Sequence, residues 1–344
     1  MVRLIHKIYF KLWVYVCRFY TFLRHPKLFN HTDILLEYST FTQKLAQEQL
    51  RENQYYDDVS KRILIIVPFR DKWQLTEKCL DSLLQQSFMG HQVMIALVDN
   101  GSVEYETKSG VDRFVDRSTD DLRFCHLRYD LPFNFSSLNN LAVKDCRDFD
   151  PDLLFFVNND IEFLESNSVA KFIDFFGRDL NHGAVGCTLL YPNHSIQHLF
   201  VSVGCKIVGA HPFKNSRYNP AEKWYQLPRP VGAVTGAALM MRNKDFTTIG
   251  GFDEELPSCY QDVDLCLKLQ KNSKVNWVLP DVALIHHETQ TRRPDPSWCE
   301  VNYMYLKWNQ FLVRNPFLSS SLSRWSEEVC LTLGEKDFPW KKLV

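Results

Sequence analysis

Three apolar runs in this chain each stop at a short polar cluster. RILIIVP (62–68) gives way to Phe69-Arg70-Asp71, VMIALV (93–98) to Asp99-Asn100-Gly101-Ser102, and DLLFFV (152–157) to Asn158-Asn159-Asp160. Asn158 and Asp160 are two residues apart, so in extended chain they share a face. A carboxylate at the mouth of a buried strand can hold Mg2+ or Mn2+, which prefer oxygen ligands, and such an ion would neutralise a diphosphate. Taken alone, Asn-x-Asp reads more readily as a turn that caps the following helix. Farther on, Gln261-Asp262-Val263-Asp264 places two carboxylates at a helix start, where free backbone N–H groups stabilise negative charge. On a helix these two point apart and do not converge on one ligand. Leu284-Ile285-His286-His287 ends another run, with the two histidines on alternate faces, so only one can reach a given site.

The elements that must carry these residues alternate. The β-branched run at 62–68 reads as a strand buried on both faces, as in a parallel sheet. Leu75, Cys79, Leu80, Leu83 and Leu84 fall at helical spacing, and VMIALV closes a βαβ unit whose crossover is right-handed by default. Further strands are expected at 122–128, 152–157, 184–191, 234–242, 275–279 and 282–287. Further helices are expected at 136–147, 166–176, 262–271 and 297–313. The class is α/β, and in such sheets ligands bind beyond the carboxyl ends of the strands. No GxGxxG follows the first strand, and no GxxxxGK followed by Ser or Thr occurs anywhere. A nucleotide, if bound, must be held by carboxylates, a metal and side chains rather than by a glycine loop.

Composition narrows the classes. The 344 residues carry 40 Lys and Arg against 41 Asp and Glu, a net charge of -1, which argues against coating nucleic acid. At 45% hydrophobic and 24% charged the chain is globular, not disordered. Ten cysteines form no CxxC pair, and most sit in apolar runs as small buried hydrophobes of a reducing compartment. The charge is unevenly spread. Arg3, Lys7, Lys11, Arg18, Arg24 and Lys27 precede the first acid, Asp33, and are interleaved with aromatic and aliphatic residues. Residues 1–28 are too broken by charge to span a bilayer and read as an interfacial helix on an anionic membrane surface, or as one packed on protein. Residues 31–60 read as a polar helical connector.

Taken together and in order, IIVPFRD, LVDNGS, LPFNFSSLNNLAV, LLFFVNNDIEF, VTGAALMMR, GGFDEE, QDVDLCLKL and ALIHHETQTR resemble a family 2 glycosyltransferase with the GT-A fold. The resemblance covers roughly residues 62–293 and is closest to the bacterial rhamnosyltransferase-like branch, which assembles surface polysaccharides. It implies a Rossmann-like, mixed but mostly parallel sheet flanked by helices. A helical extension (1–60) would precede the glycosyltransferase domain (61–295), and a helical tail (296–344) would pack on it. It implies an inverting enzyme that moves a sugar from a nucleoside-diphosphate sugar to a hydroxyl of a glycan, with a lipid-linked acceptor at the cytoplasmic face of the membrane.

The family's site residues carry over by position. Pro68, Arg70 and Asp71 match the segment lining the nucleotide pocket. Asp99 matches the aspartate that pairs with base or ribose, and Asn140 an asparagine near the nucleotide. Asn158 and Asp160 occupy the DxD positions, Asp160 being the ligand of Mg2+ or Mn2+, with Asn158 removing one charge from the motif. Asp262 matches the catalytic base, with Gln261 in place of the family's acid. His286 matches the histidine that completes the metal shell. Val234–Ala237 would offer a small-residue surface to the acceptor. Trp224, Tyr225, Tyr260 and Trp277 are candidates for stacking on sugar faces, and the long loop 210–231 for a lid. The alternative is a catalytically silent member that binds sugar or acts as a scaffold. A sugar-1-phosphate nucleotidyltransferase would need a glycine-rich signature where this chain has PFRDKWQL.

Overall fold

The computed structural model describes residues 61–287 and 297–313, together with 315–317, 323–324, 327 and Phe19. The basic-aromatic segment 1–28 and the connector 31–60, Phe19 aside, lie outside the described residues. Among the described residues no helix is long and apolar enough to cross a membrane.

The first half is regular alternation: β1 (Arg62–Phe69), α1 (Trp73–Leu84), β2 (Gln92–Asp99), α2 (Tyr105–Val115), β3 (Leu122–Arg128), α3 (Phe135–Asp145) and β4 (Leu153–Val157). Then come β5 (Ile161–Phe163), α4 (Ser168–Arg178), β6 (His182–Leu190), β7 (Ile196–His198), β8 (Ser202–Val203), β9 (Gly209–Ala210) and β10 (Arg229–Val231). The chain continues through β11 (Ala238–Arg242), α5 (Asn243–Thr248), α6 (Gln261–Lys271), β12 (Val275–His286) and α7 (Trp298–Val313). The main sheet runs β10-β12-β6-β11-β4-β1-β2-β3, with β5 added to β12 and β7 to β6, while β8 and β9 pair separately. β1 is parallel to β2 and β4, β2 to β3, and β12 to β6. β11 runs the other way between β4 and β6.

Alternation of side chains makes two cores from one sheet. Ile63, Ile65 and Val67 of β1 face a cluster with Trp73, Leu80 and Phe172, under α1, α2 and α4. Leu64 and Ile66 face a second cluster with Leu138, Leu265, Met304 and Trp308, under α3, α6 and α7. A strand covered on both faces must be apolar at every position, which is why 62–68 shows no polar alternation. Each fully buried aliphatic side chain contributes about 1.5–3 kcal/mol.

Several expectations are corrected. β12 is one strand through Pro280 and Asp281, not two, with its register on β6 shifted between Leu279 and Ala283. Only Ala238–Arg242 of the run 234–242 is strand, and Val234–Ala237 is the approach to it. Trp224, Tyr225 and Trp277 are 4%, 1% and 2% exposed, so they are core rather than sugar platforms. The middle of loop 210–231 is tied down by those side chains and by Tyr218, whose hydroxyl donates to the Pro280 carbonyl at 3.2 Å. That leaves little of the loop to act as a lid. Much of the aromatic surplus is therefore packing, as in the edge-to-face series Phe69–Trp73–Phe114–Phe124.

That series explains a glycine. A Cβ on Gly110 of α2 would sit 2.0 Å from the buried Trp73 ring, and Phe69 and Phe114 leave the indole nowhere to go. Overpacking at this distance is expected to cost about 3 kcal/mol, the upper end of its usual range, so that after the ~1 kcal/mol alanine gains over glycine in a helix Gly110→Ala should lower stability by about 2 kcal/mol. An unchanged denaturation midpoint would show that the ring stack yields.

Candidate functional site

The polar clusters lie at the carboxyl edge of the sheet. After β1, Arg70 is exposed, while Asp71 and Lys72 both take left-handed backbone (φ 51°) before α1. Asp71 is committed to this turn. Its Oδ1 accepts from the N–H groups of Val103 (2.8 Å) and Glu104 (3.0 Å), and its own N–H donates to Ser102 Oγ (2.8 Å). It therefore holds the loop after β2 against the end of β1, beside half-buried Pro68.

Asp99, at the end of β2, is 3% exposed. Its Oδ1 accepts from Ser102 N–H (2.7 Å), and its Oδ2 lies 2.8 Å from Arg128 Nη1 and 3.7 Å from His126 Nε2. Burial works against its charge. Nearby His126, the hydrogen bonds from Ser102 and the Arg128 guanidinium outweigh burial and hold the carboxyl below the usual range. A ligand reaching Asp99 meets Arg128 with it. Asn100 ties the next loop in, its Nδ2 donating to the carbonyls of Tyr129 (3.0 Å) and Leu131 (2.8 Å).

The metal candidates meet because of one short pairing. β5 lies antiparallel on β12 with Ile161 opposite His286, and His287 N–H donates to the Asp160 carbonyl at 2.9 Å. His286 Nε2 then stands 3.1 Å from Asp160 Oδ1. His287, on the other face, contacts Glu162 (2.8 Å) and Lys78 (3.4 Å). Gln197 of β7 orients His286. Its Oε1 is 2.6 Å from Nδ1, and its Nε2 is 3.5 Å from the His286 carbonyl. The amide oxygen can only accept, so Nδ1 donates to it, and this bond sets the ring so that Nε2 faces the Asp160 carboxylate. An imidazole nitrogen and a carboxylate oxygen at this separation can ligate one cation. This donor set, one carboxylate oxygen and one imidazole nitrogen, fits Mg2+ or Mn2+ when diphosphate oxygens and waters supply the rest. Among the described residues no group of three or more His, Cys, Asp or Glu could enclose a metal. Asn158 sits at the same edge but works through its backbone. Its N–H donates to the Ala237 carbonyl (2.9 Å), and its carbonyl accepts from Ile161 N–H (3.2 Å). The neighbouring Asn159 amide donates to Thr76 Oγ1 at 2.9 Å.

Asp262 reaches this edge from α6. Its Oδ2 accepts from Gly236 N–H (3.0 Å), and its Oδ1 accepts from Val263 N–H (2.8 Å). Because β11 is reversed, the segment leading into it lies at the carboxyl end of β4, next to Asn158. A Cβ on Gly236 would approach Asp262 Cβ and Phe135 no closer than 3.5 Å, an ordinary contact. Asp264 points away, is fully buried, and accepts from Trp308 Nε1 (2.7 Å) beside Lys307 (2.7 Å) and Lys268 (3.1 Å).

Asn140 is spent on the loop before α6. Its Nδ2 donates to the Phe252 carbonyl (3.0 Å) and Glu254 Oε1 (3.0 Å), and its Oδ1 accepts from Phe252 N–H (3.0 Å). The adjacent Gly251 has φ 67°, and a Cβ there would lie 2.7 Å from Asn140 Oδ1. Only glycine lets the loop close on this side chain. The structure thus brings Asp160 to His286 and Asp262 to Gly236, and places Asp71 and Asn140 as braces for neighbouring loops. Gln197 had no signal in the sequence reading. Glu300, which braces the α6 entry, has as its one sequence signal the capping-box spacing Ser297-x-x-Glu300.

Residues 64–250 match the family described as Glycosyl transferase family 2. The chain is 33% identical over 260 residues to O-antigen biosynthesis protein RfbC of Myxococcus xanthus, a match covering 75% of this chain and 19% of that protein. It is 24% identical over 220 residues to the N-acetylglucosaminyl-diphospho-decaprenol L-rhamnosyltransferase of Mycobacterium tuberculosis, covering 60% of this chain and 70% of that one. Among solved structures, the mannosyltransferase PcManGT of Pyrobaculum calidifontis, in complex with GDP-Man and Mn2+, superposes with a TM-score of 0.51 at 15% identity. That match covers 76% of this chain and 66% of the other, and it speaks for the fold alone. The chain therefore spans about a fifth of the length of RfbC.

Proposed function

The chain belongs to glycosyl transferase family 2, and on that premise we propose that it is a metal-dependent inverting enzyme. It moves a sugar from a nucleoside-diphosphate donor to a hydroxyl of a glycan acceptor. The observation that carries this reading is the Asp160–His286 pair at 3.1 Å, set at the sheet edge that also receives Asp262. The rhamnosyltransferase and O-antigen biosynthesis relatives support a cell-surface polysaccharide as product and a lipid-linked acceptor. Peripheral contact with the inner membrane face through residues 1–28 fits such an acceptor.

Asp160 and His286 would hold Mg2+ or Mn2+, which offsets the charge on the departing diphosphate. Gln197 holds the His286 ring so that Nε2 is directed at that position. Asp99 and Arg128 bound the nucleotide end, and Asp71 fixes the loop between them and β1. Asp262 takes the proton of the acceptor hydroxyl as it attacks the anomeric carbon in line with the leaving group. Its two backbone donors, Gly236 and Val263, fix where its oxygens stand. Holding both substrates in one cleft supplies the orientation.

A thermal-shift panel of UDP-, GDP- and dTDP-sugars with Mn2+ or Mg2+ tests this reading. Saturating donor at 100 times its Kd adds about 2.7 kcal/mol to apparent stability. One nucleotide class should raise Tm with metal and lose that shift in EDTA. A flat response across the panel with either metal would sink the proposal.

A further inference from the structure

Just before α6 the chain turns through Tyr260 at φ 63°, a left-handed value rare for a bulky side chain. Such a turn persists when its surroundings hold it. What holds it here is α7, which lies beyond the residues matched to the family. Ser297-Trp298-Cys299-Glu300 opens α7 as a capping box. Glu300 N–H donates to Ser297 Oγ (3.1 Å), while Ser297 N–H and Oγ donate to Glu300 Oε2 (3.0 and 2.8 Å).

That reciprocal pair uses one carboxylate oxygen. The other, Oε1, reaches across to the turn and accepts from Ser258 N–H (3.2 Å), Ser258 Oγ (3.1 Å) and Cys259 N–H (3.0 Å). Glu300 is 4% exposed. Burial opposes its charge, but the bonds from Ser297, Cys259 and Ser258 outweigh it and keep the carboxyl below its usual range. Farther along α7, the Tyr303 hydroxyl (2.7 Å) and Lys307 hold Asp253, and Trp308 holds Asp264. The same helix thus grips the chain on both sides of Asp262.

We propose that Glu300 is a positioning residue for Asp262, fixing the turn at Ser258–Tyr260 so that the Asp262 carboxylate keeps its aim at the acceptor hydroxyl. This rests on Asp262 being the base. The two oxygens of Glu300 do different work, so substitutions can separate cap from brace. Glu300→Asp keeps a carboxylate for the cap but is one methylene too short to reach Ser258 and Cys259. Glu300→Gln keeps the length and an acceptor oxygen for the turn. Ser297→Ala loosens the cap and leaves the brace.

The test uses the full chain with Mn2+ and whichever of the UDP-, GDP- or dTDP-sugars the wild type turns over. Glu300→Asp should lower kcat about tenfold or more with donor KM unchanged, since small misplacements of a reacting group are costly. Glu300→Gln should recover most of kcat. Ser297→Ala should lower Tm and leave kcat alone. Backbone amides 258–262 should exchange hydrogen faster in Glu300→Asp than in Ser297→Ala. Wild-type kcat in Glu300→Asp, or kcat falling in step with Tm across all three variants, would reduce Glu300 to a helix cap and overturn the proposal. Should Glu300→Asp not fold, Ser258→Ala decides the same question: it removes one bond to Oε1 and spares the cap, so kcat should fall with Tm little changed, and wild-type kcat there would overturn the proposal. Asp262→Asn at full rate would remove the base reading and this proposal together. An inactive Asp262→Asn beside a fully active Glu300→Asp would remove this proposal alone.

Discussion

Asp262→Asn should reduce transfer by about 10²–10⁴-fold, the range general-base catalysis supplies, while donor binding stays as it was. The size of the effect follows from what the amide cannot do, which is take a proton. The substitution is close to isosteric, and its structural cost is small. Asp262 accepts from two backbone N–H groups, Gly236 and Val263. Asparagine keeps one such contact and turns its NH2 toward the other donor, a local loss of about 1–3 kcal/mol. Tm should therefore drop modestly, and nucleotide affinity, measured by calorimetry with UDP, GDP and dTDP in Mn2+, should hold. Steady-state transfer near the wild-type rate would assign the proton to another group.

Asp160→Ala should abolish the metal-dependent part of nucleoside-diphosphate binding. Removing the carboxylate leaves His286 as the one protein donor of the pair, and the ion loses its anionic anchor. Since loss of groups that merely support a metal ligand costs about 10–100-fold in affinity, loss of the ligand itself should cost at least the upper end. Calorimetric titration of UDP, GDP and dTDP with and without Mn2+ separates the contributions. The mutant's affinity in Mn2+ should fall to the wild type's affinity in EDTA. A mutant that still binds nucleotide more tightly with Mn2+ than without would place the ion elsewhere.

How much of this was readable in advance depends on how local each cause is. β1, β2 and β4 stand out because a strand covered on both faces is apolar throughout. The helix α2 did not, since YETKSGVDRFV shows only Val111 and Phe114 as strong apolar markers. It is fixed by distant partners, Asp71 binding the amides that precede it and Trp73 lying on Gly110. The run 275–287 reads as two strands because proline is rare inside a strand, whereas the sheet absorbs Pro280 and Asp281 as an irregularity. The site divides in the same way. Asp160, His286 and Asp262 were named through their motifs. That Asp160 touches His286 depends on a three-residue strand, β5, too short to carry a periodic signal. Gln197 sits in Ile-Gln-His and Glu300 in Ser-Trp-Cys-Glu, and nothing in those stretches announces partners 89 and 42 residues away. Conversely Asn140, matched to a nucleotide neighbour, spends its amide on Phe252 and Glu254.

The reversed strand β11 bears on how this protein tolerates change. In a sheet of wholly parallel strands, the carboxyl edge is furnished by strand ends and the side chains that follow them. Here β11 enters from that edge, and the group its approach offers Asp262 is a main-chain N–H. A substitution at residue 236 cannot delete that donor unless it introduces proline, and the surroundings leave room for a Cβ. The wall beside the proposed acceptor site can therefore drift in sequence while the Asp262 carboxylate stays tethered. With Asp262 as the proposed base, chemistry and specificity would be mechanically uncoupled at this point, a route for one scaffold to diversify its products without rebuilding that base.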